Sequence, residues 1–105
     1  MQTDKEKIVS LIKKNISEID STAEVFLFGS RARGDEKTES DWDILILTDY
    51  PVSYQDEQKF RHHLFELELE VGEAFSTFVY AKADWENKHS VTPLYRNIMK
   101  EGFRI

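Results

Sequence analysis

The sequence predicts an α/β (α+β) fold in which one small sheet is layered against helices. Helical and strand patterns alternate along the chain, and 105 residues suit one small domain with a modest core, expected to span residues 1–105. The order of the predicted elements is α-β-β-α-β-α. Helices are expected at residues 4–19, 53–72 and 93–101, and strands at residues 25–28, 43–48 and 74–81.

The first three elements are indicated by apolar spacing. One face of the first helix carries apolar residues at helical intervals, namely Ile8, Leu11, Ile12, Ile16 and Ile19. Thr3 followed by Glu6 has the spacing of a capping box at the start of this helix. "EVFLFGS" then reads as a short buried strand that ends in a Gly-Ser turn, and "DILILT" as a second buried strand. Helix-like turns are expected between them, within residues 31–40.

The later elements are indicated by breaks and caps. Pro51 and Ser53 interrupt the chain before a helix that ends near Gly72, and its apolar stripe is formed by Phe60, Leu64, Leu67 and Val71. "AFSTFVYA" is the third strand, and "ADWENKHSV" is expected to be a polar connection. Thr92 followed by Pro93 predicts the start of a last helix, which Gly102 ends.

Composition excludes several classes of protein. The net charge of −6 argues against broad binding to DNA, RNA or anionic membranes. The absence of cysteine excludes disulfides and thiolate zinc sites, and makes the reducing cytosol the expected location. Residues 1–10 lack the apolar core of a signal peptide, and no segment approaches the length of a membrane span. A soluble cytoplasmic domain is therefore expected.

Two carboxylates at the entrance of the second strand are the first candidate functional feature. Asp41 and Asp43 are two residues apart, so on an extended chain both side chains leave the same face, while Trp42 and Ile44 point the other way. Two carboxylates on one face repel each other unless a proton or a cation lies between them. Oxygen ligands of this kind suit Mg²⁺ or Mn²⁺. The alternative is a solvated polar loop that ends at the strand.

The turn between the first two strands is the second feature. Gly29 lets the backbone approach a phosphate closely, and the amide hydrogens and Ser30 hydroxyl can donate to phosphate oxygens. The guanidinium groups of Arg31 and Arg33 also match phosphate oxygens, although arginines in a polar loop commonly face water. A phosphate cradle beside metal ligands suits phosphoryl or nucleotidyl transfer. The two features meet only if the consecutive strands are neighbours in the sheet.

The segment "GSRARGDEKTESDWD", residues 29–43, resembles the signature of the minimal nucleotidyltransferases (MNT) of the DNA polymerase β superfamily. That signature is Gly-Ser, ten residues, then Asp-X-Asp, and Gly29, Ser30, Asp41 and Asp43 match it without a gap. The order of elements and the closing "PLYRNIMKEGFRI" resemble the small MNT-domain proteins. The resemblance therefore extends over nearly the whole chain.

The resemblance implies a polymerase β-like nucleotidyltransferase fold, with a small mixed sheet flanked by helices. It implies Mg²⁺-dependent (or Mn²⁺-dependent) transfer of a nucleoside monophosphate from a nucleoside triphosphate. Many minimal members are antitoxins that pair with a HEPN-domain ribonuclease toxin, and typically transfer AMP from ATP to a tyrosine hydroxyl of that toxin. A homo- or hetero-oligomer is consistent with such pairing, and no direct nucleic-acid or membrane partner is expected.

The site residues are carried over by position. The resemblance implies that Gly29 and Ser30 hold the triphosphate, while Asp41 and Asp43 bind the metal and are catalytic. Supporting contacts to the nucleotide are expected from the two arginines of the loop, Arg31 and Arg33.

One departure from the family pattern keeps a second interpretation open. Active members usually supply a third carboxylate from a following strand, but "AFSTFVYA" contains no acidic residue. Ser76 or Phe78 stands at that position, and Glu73 or Asp84 would replace the acid only by a shifted register. Without a third acid, the chain could neutralise its partner by binding alone. An antibiotic-modifying type of nucleotidyltransferase is a third interpretation, which the expected single domain disfavours.

Overall fold

The computed structural model describes residues 4–34 and 40–105. The described helices are α1 (Asp4–Ile19), α2 (Ser30–Arg33), α3 (Tyr54–Val71), α4 (Lys82–Asn87) and α5 (Pro93–Glu101). The described strands are β1 (Glu24–Phe28), β2 (Trp42–Thr48), β3 (Phe75–Ala81) and β4 (Phe103–Arg104). The six predicted elements are all present. The predicted capping residue Thr3 lies outside the described residues.

The strands form one mixed sheet in the order β3-β2-β1-β4. β1 runs antiparallel to both β2 and β4, whereas β2 and β3 are parallel and are connected through α3. A parallel pair needs such a long connection, because a tight turn can only join antiparallel strands. Helices flank this sheet, which confirms the predicted fold class.

Both faces of the sheet are covered, which explains the unbroken apolar sequence of β2. Ile44 and Ile46 face a core shared with α1 and α3, whereas Leu45 and Leu47 face a second core shared with α4 and α5. Alternate residues of a strand point to opposite faces, so Asp43 belongs to the face of Leu45 and Leu47. The second core therefore lies directly below the candidate site.

The cap signals in the sequence are confirmed at two helices. The Ser53 hydroxyl accepts a hydrogen bond from the Asp56 amide and the Asp56 carboxylate accepts one from the Ser53 amide, a complete capping box at α3. Gly72 ends α3 with a left-handed φ of 72°. At α5, Thr92 caps the first turn and Pro93 opens the helix.

One expectation about the later chain is wrong, and one element was not predicted. Residues 83–87, expected within a polar connection, lie in helix α4 because Trp85 is buried against the second core and stacks on Tyr80. A single anchoring residue in a short polar stretch leaves no apolar period to detect. The two-residue strand β4 was also not predicted, and it pairs Phe103 with Leu27 of β1. Among the described residues, no helix has both the length and the apolar character needed to cross a membrane.

Candidate active site

The end of β1 and the start of β2 lie side by side at one edge of the sheet. The antiparallel register pairs Phe28, the last residue of β1, with Asp43, the second residue of β2. The turn that follows Phe28 is therefore placed beside the carboxylates that begin β2. The condition that the sequence left open, that the two strands be neighbours, is met.

Gly29 is in direct contact with Asp43. Its backbone has φ 77° and ψ −160°, a conformation that is essentially restricted to glycine. A Cβ atom added at Gly29 would lie 2.0 Å from Oδ2 of Asp43, so the carboxylate occupies the space that any side chain would need. Ser30 then begins α2, whose first turn is closed by hydrogen bonds from the amides of Ala32 and Arg33 to the Gly29 carbonyl. Glycine is therefore the residue that fits between the turn and the carboxylate.

Asp43 is half-buried, and its surroundings disfavour the charged form of its carboxyl group. Burial is the main cause that raises the pKa of Asp43, and the neighbouring charges of Asp41 and Glu101 raise it further, while Arg33 acts in the opposite direction. Asp41 is exposed and accepts a hydrogen bond of 3.1 Å from the Ser76 hydroxyl. A divalent cation would relieve the repulsion between the two aspartates, so the donor set fits Mg²⁺ with further ligands from phosphates or water.

The strand register decides what stands in the place of a third acid. β3 pairs Ser76 directly with Asp43, whereas Phe78 pairs with Leu45 one step further along the same face and packs in the second core. Ser76 is therefore the residue of β3 beside the aspartates. Among the described residues, no three histidine, cysteine, aspartate or glutamate side chains are grouped so that they could hold a metal ion.

The two acidic residues considered as substitutes have other surroundings. The Glu73 carboxylate lies 3.3 Å from the Arg31 guanidinium. Asp84 lies in α4, which follows the opposite end of β3, and pairs with Lys88 at 3.4 Å. Neither residue supplies the missing acid in this structure.

Arg31 is built into the scaffold of the site. Its guanidinium donates to the Ser40 carbonyl through Nε and Nη2, at 3.3 and 3.0 Å, and lies 4.8 Å from the centre of the Trp42 ring. Together with the ion pair to Glu73, these contacts leave only 12% of the side chain exposed. Arg31 thereby connects α2 to the start of β2 and to the segment before β3.

Arg33 contacts a residue that the sequence pattern did not identify as part of the site. Its Nη1 lies 3.0 Å from both carboxylate oxygens of Glu101, the last residue of α5. Oε1 of Glu101 also accepts a hydrogen bond of 3.3 Å from the Gly29 amide. The only sequence signal near Glu101 is the helix stop at Gly102, which says nothing about what the helix end contacts. Glu101 brings a third negative charge to the neighbourhood of Asp43.

Comparisons with known proteins agree with this geometry. The family described as a nucleotidyltransferase domain matches residues 9–102. A candidate protein adenylyltransferase of Methanocaldococcus jannaschii is 37% identical over 78 residues, which cover 72% of this chain and 79% of that protein. A toxin–antitoxin crystal structure with AMP-PNP is similar with a TM-score of 0.63 at 19% identity, covering 97% of this chain and 72% of that chain. A candidate nucleotidyltransferase from Sulfolobus solfataricus has a TM-score of 0.58 at 21% identity, covering 95% of this chain and 80% of that chain.

Proposed function

The chain belongs to the nucleotidyltransferase domain family, and from this premise we propose that it transfers AMP from ATP to a tyrosine hydroxyl of a HEPN-domain ribonuclease toxin, as the antitoxin of the pair. The observation that carries the proposal is the contact between Gly29 and Asp43, which unites the turn and the carboxylates in one site. Transfer of AMP would silence the toxin.

Each part of the site has a role in this reaction. The Gly29 amide and the Ser30 hydroxyl donate to phosphate oxygens, and Arg33 balances part of their charge. Asp41 and Asp43 would hold Mg²⁺, and the ion would neutralise phosphate charge and polarise the α-phosphate. The contacts of Arg31 hold α2 against β2, so its role is to position the turn.

The chemistry is an in-line displacement at the α-phosphorus. The tyrosine hydroxyl releases its proton to solvent water and forms a new P–O bond, while the bond from the α-phosphorus to the bridging oxygen breaks and pyrophosphate leaves. The protein contributes position and charge stabilisation, because phosphoryl chemistry needs little else from side chains. Deprotonation of the acceptor is the step for which a third carboxylate of the family would serve.

Two of the similar proteins support the choice of nucleotide and partner. The relative from Methanocaldococcus jannaschii is named for adenylylation of protein, which supports a protein acceptor and an adenine nucleotide. The similar toxin–antitoxin structure contains AMP-PNP, which supports ATP as the donor and a toxin as the partner. The acidic net charge of −6 also suits a basic protein partner better than a nucleic acid.

A second candidate function is neutralisation of the toxin by contact alone. The observation that favours it is Ser76, a residue that cannot carry a negative charge, at the position beside Asp43. In this case the site would bind nucleotide and metal without efficient transfer.

One assay separates the two functions. The protein is incubated with ATP labelled at the α-phosphate, Mg²⁺ and the toxin encoded beside it, in parallel with the Asp41→Ala/Asp43→Ala variant. We expect label on a toxin tyrosine with the wild-type protein only. Neutralisation of the toxin by the variant, with no label transferred by either protein, would instead establish neutralisation by contact.

Ser76→Asp is expected to complete the acidic site. The new carboxylate would lie beside Asp43, so repulsion should lower the thermal midpoint in metal-free buffer, while Mg²⁺ binding should tighten about tenfold. Calorimetric titration with Mg²⁺ measures the affinity. Thermal unfolding with and without Mg²⁺ measures how far the bound ion restores the thermal midpoint that repulsion lowers. Ser21→Asp, in the exposed turn before β1 at the other end of the sheet, is the matched control. Equal Mg²⁺ affinity in the Ser76→Asp variant and the wild type would contradict this arrangement of the site.

A further inference from the structure

The Glu101 carboxylate is bonded to two groups of the site that can bind an anion. Its carboxylate bonds to the Gly29 amide at 3.3 Å and to Arg33 at 3.0 Å, and these are two of the groups assigned above to the triphosphate. We propose that Glu101 is an internal competitor of the nucleotide, which the triphosphate must displace before it can bind. This inference rests on the proposed function, since it assumes that the site accepts a triphosphate.

The contacts of Glu101 are those that a phosphate oxygen would make. A backbone amide and a guanidinium are the usual donors to phosphate, and a carboxylate is the side-chain anion that can use the same donors. The Glu101 side chain is only 23% exposed although it lies at the end of a helix, because the turn after β1 covers it. The ion pair with Arg33 therefore places the carboxylate inside the site.

The backbone around Glu101 is fixed, so displacement requires only side-chain rotation. A Cβ atom at Gly102 would lie 2.7 Å from the Ile98 carbonyl and 3.2 Å from the Leu27 carbonyl, which shows how closely the end of α5 approaches β1. Phe103 then pairs with Leu27 as β4. The helix end is thus held between its own last turn and the sheet, while the Glu101 side chain has rotatable bonds that can release its carboxylate to solvent.

Displacement would also remove an unfavourable charge from the site. Among the described residues, the carboxylates of Asp41 and Glu101 both add to the negative charge around Asp43, and Arg33 opposes it. A Mg²⁺-bound triphosphate replaces the Glu101 carboxylate at Arg33 and brings its own compensating cation. A monophosphate without a metal ion brings no such cation. The exchange therefore favours the metal-bound triphosphate over smaller anions.

Glu101→Gln is expected to bind ATP about 1.5- to fivefold more tightly than the wild type, the range expected for removal of a partly exposed ion pair. Calorimetric titration with ATP and Mg²⁺, without any acceptor protein, measures the dissociation constant. Glu57→Gln is the matched control, because Glu57 pairs with Arg61 at 2.9 Å in the first turns of α3, away from the site. The control should bind ATP as the wild type does.

A second measurement does not depend on the nucleotide. In ATP-free protein, the Gly29 amide proton should change its chemical shift in the Glu101→Gln variant, because its acceptor loses its charge. The ATP titration is also repeated in the Arg33→Gln background, where the gain in ATP affinity from Glu101→Gln should shrink, since the two side chains act as one unit.

The outcomes separate this inference from the proposed function. Tighter ATP binding by Glu101→Gln together with a shifted Gly29 resonance supports the competitor. If the wild type binds ATP and Glu101→Gln binds it equally well or more weakly, the proposal that Glu101 competes with the nucleotide is overturned, and the proposed function stays intact. If neither the wild type nor the Glu101→Gln and Glu57→Gln variants bind ATP, the proposed function is overturned. The proposal that Glu101 competes with the nucleotide is then overturned with it.

Discussion

Gly29→Ala should destabilise the protein by about 3 kcal/mol and abolish nucleotide binding. The backbone at Gly29 has φ 77° and ψ −160°, and a non-glycine residue held in such a region costs on the order of 1–3 kcal/mol. The added Cβ would also lie 2.0 Å from Oδ2 of Asp43, so the carboxylate must move. In a protein of this size, about 3 kcal/mol lowers the thermal midpoint by roughly 10–20 °C. Thermal unfolding and ATP titration measure the two losses.

Gly72→Ala is the matched control for this prediction. Gly72 also has a positive φ of 72°, but a Cβ atom there would meet no described atom within 4 Å. We expect only the conformational cost of a left-handed alanine, about 1 kcal/mol, with ATP binding unchanged. The difference between the two variants isolates the contact between the turn and Asp43. Equal losses in both variants would show that this contact has no special importance.

The part of the site that is formed by elements consecutive in the sequence could be predicted from the sequence. Consecutive buried strands usually pair, so the order of the elements alone places the turn after β1 next to the start of β2. The alternation of side chains along β2 puts Asp43 on one face and Trp42 on the other, and Trp42 is indeed buried in the core shared with α1 and α3. Local chain geometry was sufficient for both inferences.

The contacts made by distant segments were not predictable. Glu101 reaches the Gly29 amide across 72 residues of sequence, and this contact depends on how α5 docks against β1. The docking is set by the packing of Ile98 in the second core and by the close approach of Gly102 to Leu27. The sequence pattern indicates the helix but not its position on the sheet. The contacts of Arg31 could not be predicted for the same reason, since its bond to Glu73 spans 42 residues.

The register of β3 is an intermediate case. The sequence limited the residue beside the aspartates to Ser76 or Phe78, because alternate residues share a face. The choice between them required the pairing of β3 with β2, which puts Ser76 beside Asp43. Parallel strands joined by a long helix carry no turn that fixes their register, so the sequence left two solutions.

Asp43→Asn should stabilise the metal-free protein at neutral pH while it lowers the rate of AMP transfer about 10³-fold, the scale expected when several kcal/mol of charge stabilisation are lost. Burial, followed by the charges of Asp41 and Glu101, raises the pKa of Asp43 above its ordinary value. A carboxyl group with a raised pKa in the folded state favours folding when protonated, and this contribution is lost as the pH rises through the folded pKa. Asparagine has nearly the same shape and does not ionise.

The stability gain of Asp43→Asn should therefore depend on pH. Below the ordinary pKa of aspartate, wild type and variant should unfold at similar temperatures, and the variant should become the more stable protein as the pH rises towards neutrality. Thermal unfolding in EDTA across this range measures the effect, and Asp49→Asn, an exposed position at the other end of β2, is the control. Saturating Mg²⁺ should stabilise the wild type but not Asp43→Asn. A variant less stable than the wild type at every pH would show that the ionised Asp43 carboxylate favours the fold, and a cation would then not be needed to offset its charge.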